Sequence, residues 1–343
     1  MNVAVVVTRP PFATNRPTQI ARALTRELRG HGFGAQLVEL PFRSDGADTI
    51  TDAMLASALV EVDVADRVVA VNFPGYYAQH DSKVLWLLER HRPVYELWDD
   101  DTSVENDPAS DGRSADGFRH AIIRADNTCF STSRALYVGS DEAYDAVRHY
   151  NGCTAGVLHP PPTVNVDGAA DAGEFLVVSA LPGAGARLDL VLDAMARVHS
   201  AVRLVVTAPT ARVRDDATDL VRAHGIGERV EVASTADEHD EAALVSRALA
   251  VVVVPRHGDD VSSVLDAFRL RTAVVTVSDS GAPRRFVDDA GGYVVDPDAD
   301  ALADAFDALF ADRAAAARVG DAGFERLRVL DLSWTKVVEA LTA

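Results

Sequence analysis

Apolar residues recur along this chain in two rhythms. Short, nearly unbroken runs such as "NVAVVVT" (2–8), "DRVVAVNFP" (66–74) and "KVLWLLE" (83–89) alternate with stretches where apolar positions return every three or four residues. The first rhythm predicts strands buried on both faces and the second predicts amphipathic helices. In "TQIARALTRELRGHG" (18–32), Ile20, Leu24 and Leu28 share one face and glycines follow, so a helix is predicted there. "AQLVELPF" (35–42) reads as a strand, "ITDAMLASALVEV" (50–62) as a helix, and "LYVGSDEAYDAVRHYNG" (136–152) as strand, helix and glycine stop. After "AGVLHPPP" (155–162) the alternation starts again, with strands predicted at 175–181, 202–209, 230–234, 250–255, 273–278 and 292–297. Helices fill the gaps, and two or three more follow to the end. Val-rich strands alternating with helices imply parallel sheets covered on both faces, so the fold class is α/β, built as two similar Rossmann-like halves.

The polar, Gly/Ala-rich segment "TVNVDGAADAGE" (163–174) lacks either rhythm and is read as a linker. The expected division is an N-terminal domain over 1–165, a linker over 166–174, a C-terminal domain over 175–330, and a final helix over 331–343 packing back on the first domain. The acidic segment "DDDTSVENDPASDGRSADG" (99–117) is predicted to be a loop. A length of 343 residues exceeds one ordinary core and suits two domains of about 150 residues each.

Charge narrows the partners. The net charge is −19, which disfavours nucleic acid and anionic membrane surfaces unless a local basic patch exists. No run reaches the about 20 apolar residues of a membrane span. The opening "MNVAVVVTRPP" has neither a basic leader nor a cleavage site, so no signal peptide and a cytoplasmic location are expected. Cys129 and Cys153 are the only cysteines and read as core thiols of a reducing compartment. No Gly-x-Gly-x-x-Gly follows the first strand of either half, and neither a Gly-x-Ser-x-Gly elbow nor a Walker loop is present, which argues against a dinucleotide oxidoreductase, a serine hydrolase and a P-loop enzyme.

The stretch "PRHGDDVSSVLDAF" (255–268) carries the sharpest chemical question. A strand ends, a loop holds Gly258, Asp259 and Asp260, and a helix is predicted from near Ser262. A helix N-terminus just after a parallel strand suits an anion, with the Ser262 and Ser263 amides as donors. The two aspartates cap a helix well but repel an anion. Arg187, Arg256, His257 and the pair Arg284–Arg285 could offset them. "WDDDTS" (98–103) contains an Asp-x-Asp of the kind that can hold a divalent metal, and reads more simply as solvated charge. His80 and His91 also read as hydrogen-bonded structural histidines.

Several segments, in order along nearly the whole chain, resemble retaining glycosyltransferases of the GT-B type, above all the family-4 (group 1) enzymes that build surface polysaccharides. They are "VNFPGYYAQHDSKVLWLLERHRPVYELWD" (71–99), "HYNGCTAGVLHPPP" (149–162), "LDLVLDAM" (188–195), "DSGAPRRFVDDAGGYVVDPD" (279–298) and "LSWTKVVEAL" (332–341). The resemblance implies two Rossmann-like domains facing a cleft, with the acceptor on the N-terminal side and a nucleotide-sugar on the C-terminal side. The helix near Trp334 would cross back onto the first domain. It implies no metal and no cofactor, because helix ends and basic side chains hold the diphosphate.

Four motifs depart from the family pattern. Asn15 and Arg16 stand where a Gly-Gly turn is usual, although Arg16 could itself meet a phosphate. Glu89, followed by Arg90, His91 and Arg92, stands where the family places a histidine beside the sugar. Ala180 follows Ser179, and Gly185 or Ala186 stands near the usual lysine, which leaves Arg187 as the surviving phosphate ligand. Of the family's paired glutamates, the second becomes Asp266, which could still grip a ribose, and the first becomes Gly258 unless Asp259 takes its place. Two functions follow. The first is sugar transfer, with Arg16, Ser179, Arg187, Arg256, His257, Ser262, Ser263 and Asp266 binding the donor and Glu89 or His91 facing a glycan or lipid-linked acceptor. The second is a catalytically silent binding or partner subunit on the same scaffold.

Overall fold

The computed structural model describes residues 1–11, 14–44, 46–98, 112–164, 173–180, 187–235, 238–258, 260–287 and 291–343. Asp259, Gly185, Ala186, the Asp-x-Asp at 99–101 and most of the expected linker lie outside these described residues. The chain forms two compact units, Met1–Pro160 with Ser333–Ala343, and Pro161–Leu332.

The first unit runs β1 (Asn2–Arg9), α1 (Arg16–Gly30), β2 (Gly34–Pro41), α2 (Ala47–Ala58), β3 (Arg67–Asn72), β4 (Lys83–Glu89), α3 (Gly112–Thr132), β5 (Ala135–Val138), α4 (Asp141–Asn151) and β6 (Gly156–Val157). Its parallel sheet has the order β2-β1-β3-β4-β5-β6. Successive strand residues point to opposite faces, and both faces are buried. Val3, Val5 and Val7 join Ile20, Leu24 and Leu28 of α1, whereas Ala4 and Val6 join Ile50 of α2 and Ile122 of α3. Each of these Val, Leu and Ile side chains taken fully out of water contributes about 1.5–3 kcal/mol, which is why the strands tolerate almost no polar residue.

Local signals set the helix ends. Asn15 caps α1 by accepting from the Thr18 amide at 3.1 Å, and α4 stops at Gly152, whose φ of 64° suits a glycine. The segment predicted as a loop over 99–117 is corrected at its end: α3 already begins at Gly112. Phe118, Ile122, Cys129 and Phe130 pack that helix on the core, and this burial outweighs a start rich in Gly, Ser and Asp. A final helix, α12 (Trp334–Thr342), belongs to this unit. Val337, Val338 and Leu341 enter the α1 face of the core, Trp334 meets Trp86 edge to face at 6.3 Å, and buried Arg67 donates to the Leu341 and Ala343 carbonyls.

The second unit runs β7 (Phe175–Ser179), α5 (Leu188–Met195), β8 (Arg203–Ala208), α6 (Ala211–Ala223), β9 (Val230–Ser234), α7 (Glu238–Val245), β10 (Ala250–Val253), α8 (Ser262–Arg269), β11 (Ala273–Val277), α9 (Ala282–Val287), β12 (Gly292–Val295), α10 (Ala299–Ala311) and α11 (Arg313–Leu330). Its parallel sheet has the order β12-β11-β10-β7-β8-β9. Leu176, Val178 and Val252 face α5 and α10, and Val177 and Val251 face α8. Among the described residues, no helix is long and apolar enough to cross a membrane.

Candidate functional site

In an open parallel sheet the chain winds one way from its first strand and then the other, and the two directions part at a crevice beyond the strands' carboxyl ends. Ligands of such sheets bind at that switch point. Here it falls between β1 and β3 in the first unit and between β7 and β10 in the second.

The first crevice is bridged by side chains. Asn72, at the end of β3, accepts from the Thr8 amide at 2.8 Å and donates to the Thr8 carbonyl at 2.9 Å, extending the sheet ladder by one side-chain step. The Thr8 hydroxyl donates to the Phe73 carbonyl at 2.6 Å. Arg16 is the first residue of α1 and donates to Gln19 at 2.8 Å. Glu89 ends β4 and is exposed, and its carbonyl accepts from the Phe73 amide at 3.1 Å. His91 is 6% exposed and stacks on Phe73 with ring centroids 4.7 Å apart. His80 bridges the Ala65 carbonyl and the Ser82 amide, a structural role.

The second crevice is polar. Ser179 is the last residue of β7. Arg187 directly precedes α5, and its guanidinium reaches across to the ends of two neighbouring strands. Nε donates to the Val254 carbonyl at 2.9 Å and Nη2 to the Pro255 carbonyl at 2.8 Å, both just past β10. Nη2 and Nη1 also form a fork on Asp279, just past β11, at 2.8 and 3.0 Å. One arginine thus ties two strand ends together.

The loop after β10 is held by backbone. The His257 amide donates to the Asp279 carbonyl at 3.0 Å, the Gly258 amide to the Ser280 carbonyl at 2.9 Å, and the Ala282 amide to the Gly258 carbonyl at 2.8 Å. His257 has a φ of 49° and Gly281 a φ of 77°. A Cβ on Gly281 would stand 2.6 Å from the Gly258 oxygen, so glycine is required there for space as well as for conformation. Arg256 and His257 are exposed.

At the start of α8, Asp260 accepts from the Ser262 amide and the Ser262 hydroxyl, each at 2.9 Å. The Ser262 amide, expected to face a phosphate, is therefore engaged by the preceding carboxylate, and Ser263 follows it in the first turn. Asp266 is 4% exposed. Its carboxylate accepts from the Thr163 amide at 2.8 Å and the Thr163 hydroxyl at 3.2 Å, tying the segment after "PPP" to α8. Arg284 and Arg285 are exposed on α9, with Arg284 donating to the Ser278 carbonyl at 3.2 Å. Ser179, Arg187, Arg256, His257, Ser262, Ser263 and Asp266 thus share the β7/β10 end of one unit, and Arg16, Glu89 and His91 lie in the other. Asp279 and Thr163 escaped sequence reasoning. Asp279 had one signal, a lone acid after a buried strand, but its partner depends on strand order.

Two parallel Rossmann-like sheets, each with its own switch point, define a protein of the GT-B type. Residues 169–326 match the family described as glycosyl transferases group 1. No curated protein matches the chain in sequence. Among solved structures, sucrose-phosphate synthase from Thermosynechococcus elongatus is similar at a TM-score of 0.70 and 16% identity, covering 100% of this chain and 97% of that one. HepE from Anabaena, solved in complex with UDP and glucose, is similar at a TM-score of 0.70 and 10% identity, covering 100% and 98%. WaaG, described as a glycosyltransferase of lipopolysaccharide biosynthesis, gives a TM-score of 0.63 and 13% identity, covering 100% of both chains. At these identities the likeness establishes the shared fold.

Proposed function

We propose that this protein is a cytoplasmic retaining glycosyltransferase that moves a sugar from a nucleotide-sugar to a glycan or lipid-linked acceptor in surface polysaccharide or glycoconjugate synthesis. The observation that carries this reading is the match of residues 169–326 to the group 1 glycosyl transferases, in a chain that is similar end to end in fold to HepE, whose structure holds UDP and glucose. The donor diphosphate would lie over the β7/β10 crevice, met by Arg187, Arg256, His257 and the first turn of α8, with Ser179 at its floor and Asp266 near the ribose. On the acceptor side, Glu89 is exposed at a strand end and suits a hydroxyl, with His91 packed behind Phe73 as its support and Arg16 beside the first crevice. No metal or cofactor is required, because the cations and amides supply the positive field.

A second reading, a silent binding or partner subunit, is favoured by a specific observation. Asp266, Ser262 and Arg187 are each already engaged by groups of the chain itself. Calorimetry with UDP, GDP and their common sugars separates the two. Micromolar binding of one nucleotide, worth about 8 kcal/mol, together with turnover of its sugar ester, supports transfer. Binding without turnover supports the silent subunit, and a folded protein that binds none of them overturns the donor site.

A further inference from the structure

One cation of the second crevice, Arg187, is already answered. Arg187 makes four hydrogen bonds, two to carbonyls and two to Asp279. We propose that Asp279 is an internal stand-in for a phosphate: it occupies the fork of Arg187 and lowers the affinity of this crevice for a pyrophosphate-type anion, which binds by displacing it. The identity of that anion as a nucleoside diphosphate rests on the donor reading above. The displacement itself does not.

Four observations support it. First, the pair lies beside the switch point of the sheet, with Arg187 in the connection that follows β7 and its partners just past β10 and β11, the region where such folds place ligands. Second, a guanidinium fork fits a carboxylate and a phosphate with the same two parallel N–H donors, so one can replace the other without moving the arginine. Third, Arg187 does not depend on Asp279 for its position. The Val254 and Pro255 carbonyls hold two of its other N–H groups, and the fork stays aimed when the carboxylate leaves. Fourth, exposure grades the right way. The Arg187 side chain is 17% exposed and that of Asp279 is 31% exposed, so the carboxylate is the outer partner and can turn toward water. While Asp279 is in place the pair is neutral, and an incoming anion meets no net positive charge from it. Asp260, at the mouth of α8, adds a second carboxylate to the same rim.

The test titrates inorganic pyrophosphate and UDP into the full chain by calorimetry, with near-ultraviolet circular dichroism and thermal unfolding as checks of fold. The variants are Asp279→Asn, Asp279→Ser, and Asp279→Asn in an Arg187→Gln background. Expected is pyrophosphate binding at least tenfold tighter in both single variants, a gain of about 1.4 kcal/mol, and loss of that gain when Arg187 is also replaced. Two outcomes overturn the proposal: natively folded Asp279→Asn and Asp279→Ser proteins that bind pyrophosphate no tighter than the wild type, or a gain that persists without Arg187, which would mark a general charge effect. The two readings separate cleanly. If UDP binds the wild type and the variants equally, the donor reading stands and the stand-in fails. If pyrophosphate tightens but UDP binds nowhere, the stand-in holds and the donor reading fails.

Discussion

Asp126 shows how much a single residue can concentrate. It is fully buried on α3 and accepts hydroxyls from Tyr76 at 2.8 Å, Tyr77 at 2.5 Å and Tyr95 at 2.6 Å. Burial pushes its carboxyl above the usual range, and the three phenols oppose that push without cancelling it. Burial, reinforced by the nearby carboxylate, pushes all three phenols well above their ordinary value, so they remain donors. The sign of the pH effect follows. A carboxyl whose folded pKa lies above its unfolded value, about 3.9, favours the fold most below that value and loses the contribution as pH rises through the folded pKa. Asp126→Asn has no such titration. The stability of the wild type relative to Asp126→Asn is therefore expected to fall as pH is raised above about 4 and then level off, as measured by urea unfolding at a series of pH values. A rising difference would contradict the account. The node joins two residues after β3, one after β4 and one on α3, and no spacing in the sequence announces it.

At the scale of elements, the strands were legible and the loops were not. A buried parallel strand must be apolar on both faces, so "NVAVVVT" and the Val-rich run before Pro255 declare themselves. The turn after β11 does not. Gly281 is required because its backbone lies against that of Gly258, a contact between two loops that follow adjacent strands. Gly281→Ala would put a Cβ at a positive φ and against a carbonyl oxygen. It is expected to cost about 1–3 kcal/mol in urea unfolding and to weaken any anion binding, because the same turn positions Asp279. An unchanged stability would show that the two loops separate freely. The helix at Gly112–Thr132 makes the converse point: its start reads as loop chemistry, and only burial of the residues that follow decides its extent.

For the whole molecule, each unit carries cores on both faces of its own sheet, so ligand effects should divide by unit. A nucleotide bound at the second switch point at a hundred times its Kd is expected to add about 2.7 kcal/mol to the stability of the unit it occupies. Hydrogen exchange with and without UDP reads this directly. Protection is expected over β7, β10, β11 and α8, and protection centred instead on β1 and β3 would move the nucleotide to the other crevice. The amino-acid sequence by itself determined the α/β class, the two-part alternation of strands and helices, and the residue types present after each strand, because burial periodicity and helix caps act over a few neighbouring residues. Only the tertiary structure decided what those residues do to one another. Strand order brings Asp279 to Arg187 across 92 positions, and chain entry brings Thr163 to Asp266 across 103. Pairings of that span are set by packing of the whole sheet, and an ion pair or a buried carboxylate has no local pattern from which its partner can be read.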